Sequence, residues 1–208
     1  NQQDCEKSLA DLKLACDALL DRCKTSPRIR LDKLITEVDA RNVLESRSIA
    51  MGVTLDHTFT PSKTTLSDIS KYKIVKPGQL ACNLIHVGRD KAFPIAKNDT
   101  NNIILTSPDY AVFQPISAAI GTYLLGWFSR KETGRFGWFI CDADIRGRLN
   151  KEMFLSLEIP IPENERLITI TSLLEALKAR ISINDRLKYQ LKDVCSVLIR
   201  GSILEASR

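Results

Sequence analysis

Two heptad-patterned segments, one at each end of the chain, limit its fold more than any other feature. Residues 2–24 contain no glycine or proline, and Cys5, Leu9, Leu12, Cys16, Leu19 and Cys23 recur at steps of 4, 3, 4, 3 and 4. That spacing predicts a helix with one narrow apolar stripe, roughly 35 Å long. Such a helix is marginal alone and needs a partner helix. Thr25-Ser26-Pro27 ends it. A second, longer helix is expected over 163–207, its start marked by Pro160 and Pro162. Leu167, Ile170, Leu174, Leu177 and Ile181 form its first stripe. After Asn184 the pattern resumes in a shifted phase through Leu187, Leu191, Val194 and Leu198, which reads as a stammer. Asn184 then places a polar group on the seam, a device that sets register at some cost in stability. Gly201 is expected to fray the end of this helix.

Between the two helices the pattern changes. Glycine and proline are frequent and apolar runs are short. Ile74-Val75, Leu80-Ala81-Cys82, Ile103-Ile104-Leu105, Tyr110 to Phe113 and Phe154 to Ile159 read as strands. Lys76-Pro77-Gly78-Gln79 reads as a turn between two of them. Residues 118–130 are the best helix candidate in this stretch, with another around Leu31–Ile35. The fold class is therefore α+β. The expected division is a heptad helix over 1–25, a globular domain over 26–162 and a long heptad helix over 163–208, the helices forming an antiparallel coiled coil.

Charge follows this division. The net charge of +5 splits into −1 for the first segment, +4 for the globular part and +2 for the last. A mild excess of this kind permits a polyanionic partner without requiring one. No apolar run approaches the roughly 18 residues of a membrane-spanning helix. The chain begins at Asn1 and reads as a processed product or a piece of something longer, and Asp4, Glu6 and Asp11 argue against a signal peptide at its start. The six cysteines lack CxxC spacing and only two histidines are present, so reduced structural thiols are expected instead of a zinc site or a disulfide framework. The compartment implied is the cytoplasm.

The chemistry of common enzymes is missing from the sequence. There is no GxxxxGK[ST] phosphate loop and no GxSxG elbow. Asp32-Lys33 and Asp90-Lys91 have the wrong spacing for a metal-dependent nuclease, and Asp142 and Asp144 have no lysine in register. Ser107-Pro108-Asp109-Tyr110 reads as a turn leading into a strand, not as the base-holding tetrapeptide of an amino-methyltransferase. His57 and His86 read as ordinary loop or core residues, and Trp127 and Trp138 as core or rim residues. Catalytic residues, a metal and a cofactor are therefore not expected.

The order helix, α+β domain, long helix, with Pro-x-Pro at the second junction, resembles one half of the specificity subunit of type I restriction–modification enzymes. Pro27-Arg28-Ile29-Arg30-Leu31 resembles the opening of the family's target recognition domain. Ile74 to Leu80 is similar to its turn-strand element, and Thr106 to Phe113 to its Ser-x-x-Tyr strand. Asp144 to Leu149, then Phe154 and Ile159-Pro160-Ile161-Pro162, resemble its closing loop, strand and helix start. Where the family often has Glu-Gln, this chain has Glu165-Arg166. A whole subunit has two such domains, so the likeness implies a half-subunit or a fragment.

The resemblance implies a non-catalytic reader of double-stranded DNA that binds one half of a bipartite target. Its helices would act as a ruler and dock methyltransferase (M) and restriction (R) subunits. They would also pair with a second half-subunit or an identical chain. The helix-pairing residues would be Leu9, Leu12, Leu19, Leu174, Leu177 and Ile181. Base reading needs arginine, lysine, asparagine or glutamine on loops. The candidates are Lys63, Thr64, Thr65, Asn83, Arg89, Lys91, Arg130, Lys131, Arg135, Arg146, Arg148 and Lys151. The run from Ser129 to Gly137 stands out, because it reads as a loop with three basic residues beside two glycines. A coiled-coil module that binds only protein is the rival reading, and the salt dependence of DNA affinity separates the two.

Overall fold

The structure, a computed structural model, describes residues 2–43, 50–62, 68–141 and 147–206, without the side chains of Gln2, Cys5 and 191–206. Two compact units divide the chain: Cys23–Thr171, and a second made of Asn1–Arg22 with Ser172–Arg208. The element order opens with helix α1 (Gln2–Asp21) and strands β1 (Arg28–Arg30), β2 (Ile35–Glu37), β3 (Met51–Val53), β4 (Phe59–Pro61), β5 (Lys73–Val75) and β6 (Leu80–Cys82). Next come α2 (Val87–Asp90), β7 (Ile95–Lys97), β8 (Ile104–Thr106), β9 (Ala111–Pro115), α3 (Ala118–Phe128) and α4 (Lys131–Ile140). The chain closes with α5 (Lys151–Ser156), β10 (Glu158–Pro160) and α6 (Asn164–Ala206). The architecture is α+β.

The centre of the globular unit is an antiparallel sheet in the order β2-β9-β6-β7. Its register sets Leu80 opposite Phe113 and Ala81 opposite Val112. Side chains alternate across a sheet, so each strand feeds two cores. On one face Ala81 and Val112 join Val75 and Ile104, with Met51, Val53, Phe59 and Tyr110 packed around them. The β3–β4 hairpin is held there, since Val53 N–H donates to the Tyr110 hydroxyl at 3.0 Å. On the other face Phe113 meets Phe154 with ring centroids 5.6 Å apart. Phe154 also touches Phe128 at 5.3 Å and Phe93 at 5.9 Å. Burying each ring contributes about 1.5–3 kcal/mol, so this cluster anchors the helices to the sheet.

The two ends of the globular unit lie side by side. Strands β1 and β10 pair antiparallel, with Arg28 opposite Pro160 and Arg30 opposite Glu158. Pro160 lacks a backbone N–H and is tolerated in this ladder, which is two-stranded among the described residues. The Tyr123 hydroxyl donates to the Pro160 carbonyl at 2.6 Å, and burial pushes its pKa upward. At the Lys76–Gln79 turn Gly78 has φ +81°, and Gln79 N–H donates to Lys76 O at 3.0 Å. That is the left-handed position a type II turn assigns to glycine. Ser107 to Tyr110 is likewise a turn, closed by Tyr110 N–H to Ser107 O at 3.1 Å.

Three expectations in this unit need correction. Residues 31–35 form one 3-10 turn, Leu31–Lys33, followed by a strand, not a helix. Phe154 lies in helix α5, not in a strand. The Asn150 side chain accepts from Met153 N–H at 3.1 Å and so caps α5, and only Glu158–Pro160 extends as β10. Residues 131–140 are helix α4, where a glycine-rich loop was expected. Helix propensity is a weak prior, and packing of the two glycines outweighs their cost of about 1 kcal/mol each.

The helical unit stands on its own contacts. Asn184 Nδ2 donates to Ser8 Oγ at 2.9 Å, and Lys188 Nζ lies 3.0 Å from Glu6 Oε1. Cys16 lies near Lys178; burial pushes its thiol pKa up and the lysine opposes the rise. Positions rise along α1 as they fall along α6, so the pairing is antiparallel. Leu174 is buried, and Leu9, Leu12, Leu19, Leu177 and Ile181 are half-buried. The expected phase shift after Asn184 is absent over the described side chains. Asn184 and Lys188 continue the half-buried stripe in phase, and Leu187 is 44% exposed. Polar partners on α1 make this possible, because Ser8 accepts a hydrogen bond from Asn184 and Glu6 offers a carboxylate to Lys188. Leu191, Val194 and Leu198 lie outside the described side chains. Gly201 does not end the helix, which runs through it to Ala206.

Among the described residues no helix is long and apolar enough to cross a membrane. None of Cys16, Cys23, Cys82 and Cys141 is in a disulfide.

Candidate nucleic-acid interface

The candidate surface is built on glycines. In α4, Gly134 and Gly137 face inward, and a Cβ on Gly134 would stand 2.5 Å from the Lys91 carbonyl oxygen. A Cβ on Gly137 would stand 2.6 Å from the ring of Phe93. The helix therefore seats directly on the backbone that follows α2. A second glycine contact fixes the next segment: Gly88 N–H donates to Gly147 O at 2.8 Å, and a Cβ on Gly88 would lie 2.6 Å from Gly147 Cα. Gly147 itself has φ +59°. Leu149 N–H donates to Leu84 O at 2.9 Å, which pins 147–149 along the loop before α2.

These contacts gather cations from three separate stretches of sequence. Arg89 and Lys91 come from α2 and its end, Lys131 and Arg135 from α4, and Arg148 from the pinned segment; all five are exposed. Lys91 Nζ sits 4.6 Å from the centroid of the Trp138 ring, a cation–π contact. Arg89 pairs with Asp90, Nε to Oδ1 at 2.7 Å and Nη2 to Oδ2 at 3.1 Å. That pairing holds the guanidinium pKa above its ordinary value. Two acids among the described residues here are engaged by the protein's own cations: Asp90 by Arg89, and Glu132 by Arg130 at 2.6 Å and Lys24 at 2.9 Å. Among the described residues, cations outnumber acids on this face.

Other candidates are placed elsewhere or turned inward. Arg130 is 5% exposed, stacked 4.7 Å over Trp127 and bonded to Glu132. It braces the start of α4, and its burial removes it from a groove contact. Asn83 is also buried; its Oδ1 accepts from Ile85 N–H at 3.0 Å, so it shapes the loop before α2. Lys151 Nζ is 2.7 Å from Glu37 Oε2 on β2, and this hydrogen bond raises the lysine pKa. Lys63, Thr64, Thr65 and Arg146 lie outside the described residues, as do Asp142 and Asp144. Among the described residues no group of three or more histidine, cysteine or acidic side chains could hold a metal ion.

The architecture has known counterparts. It is similar to the HsdS subunit from Thermoanaerobacter tengcongensis, with TM-score 0.54 and 13% identity over 93% of this chain and 50% of that one. It is similar to the type I restriction–modification S subunit from M. genitalium, with TM-score 0.55 and 8% identity over 95% of this chain and 56% of that one. A structure of the type I R-M system, determined for its complex assembly and conformational transition, matches with TM-score 0.53 and 12% identity over 95% of this chain and 53% of that one. The chain has the fold of a type I specificity subunit. It spans about half the length of the specificity subunits it matches. No protein-family model and no curated protein matches the sequence.

Within this specificity-subunit fold, the candidate surface has one feature that residue spacing alone does not announce. Helix α4 exposes Phe139 at 81% and Phe136 at 50%, and Trp138 stands at the rim under Lys91. The signal was present in Arg135-Phe136-Gly137-Trp138-Phe139. It becomes readable only once the segment is a helix whose glycines mark the inner side.

Proposed function

We propose that the chain is the DNA-reading half of a type I restriction–modification specificity subunit. The observation that carries this reading is the fold likeness, which covers nearly the whole chain and about half of each counterpart. In this role the globular unit binds one half of a bipartite double-stranded target. The face bearing Arg89, Lys91, Lys131, Arg135 and Arg148 makes the contact. Arginine and lysine on such a face hold phosphates and take guanine edges in the major groove. The chain has no catalytic step of its own and works in the cytoplasm, where methyltransferase and restriction subunits dock on its helices.

The helices form an antiparallel coiled coil that sets the distance between two half-sites, as dimer geometry does in other DNA readers. Leu173, Ile183 and Leu187 are exposed on α6 and supply an apolar stripe for a second half-subunit or an identical chain.

Selection from a random duplex pool tests this reading, with the chain alone and with a type I methyltransferase subunit. An enriched motif, single or repeated at fixed spacing, is the expected result. Affinity should fall steeply as salt rises. No enrichment under either condition, with the helices still mediating assembly, would establish the rival reading of a protein-only interaction module.

A further inference from the structure

Phe136 and Phe139 form an exposed apolar pair on a helix whose other side is locked by glycine packing. Two neighbouring phenylalanines exposed on a fixed helix offer an apolar surface for a partner. The surroundings say what covers it. Arg135 lies one turn before Phe139, Lys131 begins the same helix, and Lys91 sits on Trp138 beside them. Among the described residues, the nearby acids Glu132 and Asp90 are paired with Arg130, Lys24 and Arg89. An apolar ridge beside the exposed cations Lys91, Lys131 and Arg135 suits a polyanion that also carries an apolar group.

Duplex DNA is such a partner. Its major groove admits an α-helix, and the thymine C5-methyl is the apolar group displayed on its base edges. We propose that α4 is a groove-reading helix in which Phe139, backed by Phe136, contacts a thymine methyl while Arg135 takes a guanine edge. The two residues are four apart, about 6 Å along the helix, so the two bases lie within about two steps of one another. The proposal rests on the DNA-recognition reading above and adds to it an apolar contact that charge alone does not supply.

The test uses the motif selected by the whole chain together with a type I methyltransferase subunit. Each thymine is replaced in turn by deoxyuridine, which removes only the C5-methyl. One thymine is expected to matter, with affinity falling roughly fourfold for the lost methyl. Phe139→Ala should bind the thymine and deoxyuridine duplexes equally, with its melting temperature close to that of the parent. If no thymine is sensitive, or if the sensitivity survives in Phe139→Ala, the proposal is overturned and DNA recognition stands without it. Loss of methyltransferase binding by Phe139→Ala, with DNA affinity unchanged, would assign the ridge to a protein partner and also overturn it. If the parent selects no motif, the DNA reading fails first and takes this proposal with it.

Discussion

Single residues carry sharp consequences where the backbone has no room. Gly134 sits in the middle of α4, where alanine is ordinarily favoured by about 1 kcal/mol. The Lys91 carbonyl and Ala92 Cα leave no space for its Cβ, and backbone cannot swing aside. Gly134→Ala is therefore expected to destabilise the protein by about 1–3 kcal/mol, read as a lower urea midpoint. Phe154 has no exposed surface and touches three other rings, so Phe154→Ala should cost about 3–5 kcal/mol in the same measurement. Asp39 adds a pH-dependent contribution. A hydrogen bond from Arg41, at 2.9 Å, and the charge of the largely buried Lys73 hold its carboxyl below the ordinary value of 3.8. A carboxyl depressed by folding stabilises the protein above its unfolded pKa, and that stability is lost as pH falls through the folded value. Asp39→Asn should thus lose about 1 kcal/mol or less at neutral pH. The gap from the parent should close on acidifying below the carboxylate range, as seen by denaturant midpoints at the two pH values.

At the scale of elements, the outcome turned on whether the deciding signal was local. Helices α1 and α6 follow from heptad spacing, and β5, β6, β8 and β9 follow from short apolar runs between turns, whereas β2, β3, β4 and β7 carry no such signal. Helix α4 did not, because Gly134 and Gly137 look like loop residues until Phe93 and the Lys91 backbone are set against them. The seam of the helical unit is a second case. Apolar spacing alone suggested a shift of phase after Asn184, yet Ser8 and Glu6 on the other helix keep Asn184 and Lys188 in register. Polar seam groups set pairing at the expense of stability. Asn184→Leu is accordingly expected to raise the melting temperature and to broaden the range of helix–helix associations, seen as extra species by sedimentation. A single species with a lowered melting temperature would show that the Ser8 hydrogen bond stabilises more than an apolar seam would.

Across the whole molecule, the proposed function depends on bringing distant stretches together. The β1–β10 ladder closes the globular unit, and the contacts of Gly88 with Gly147 and of Gly134 with Lys91 unite three stretches on one cationic face. If Arg135 reads a base from that face, Arg135→Ala should weaken specific binding by roughly 1–3 kcal/mol and relax one position of the motif. A phosphate contact would instead weaken all sequences alike and reduce the salt slope. Leu187 tests the helices in the same spirit. It is exposed on α6, so if that stripe docks a second half as proposed, Leu187→Asp should leave the melting temperature of the chain nearly unchanged while weakening that association, measured by sedimentation.

Periodicity and turn chemistry act over a few residues, and from them alone came the α+β class, the two terminal helices and the order of parts that resembles a half-subunit. Three-dimensional packing chose everything that depends on a distant neighbour. It made 131–140 a helix and turned Arg130 and Asn83 inward. It tied Lys151 to Glu37, and it set Phe136 and Phe139 outward among the remaining cations. A loop cation looks the same in sequence whether it faces a groove or a carboxylate, because the free energy that separates the two cases comes from groups brought near only by folding.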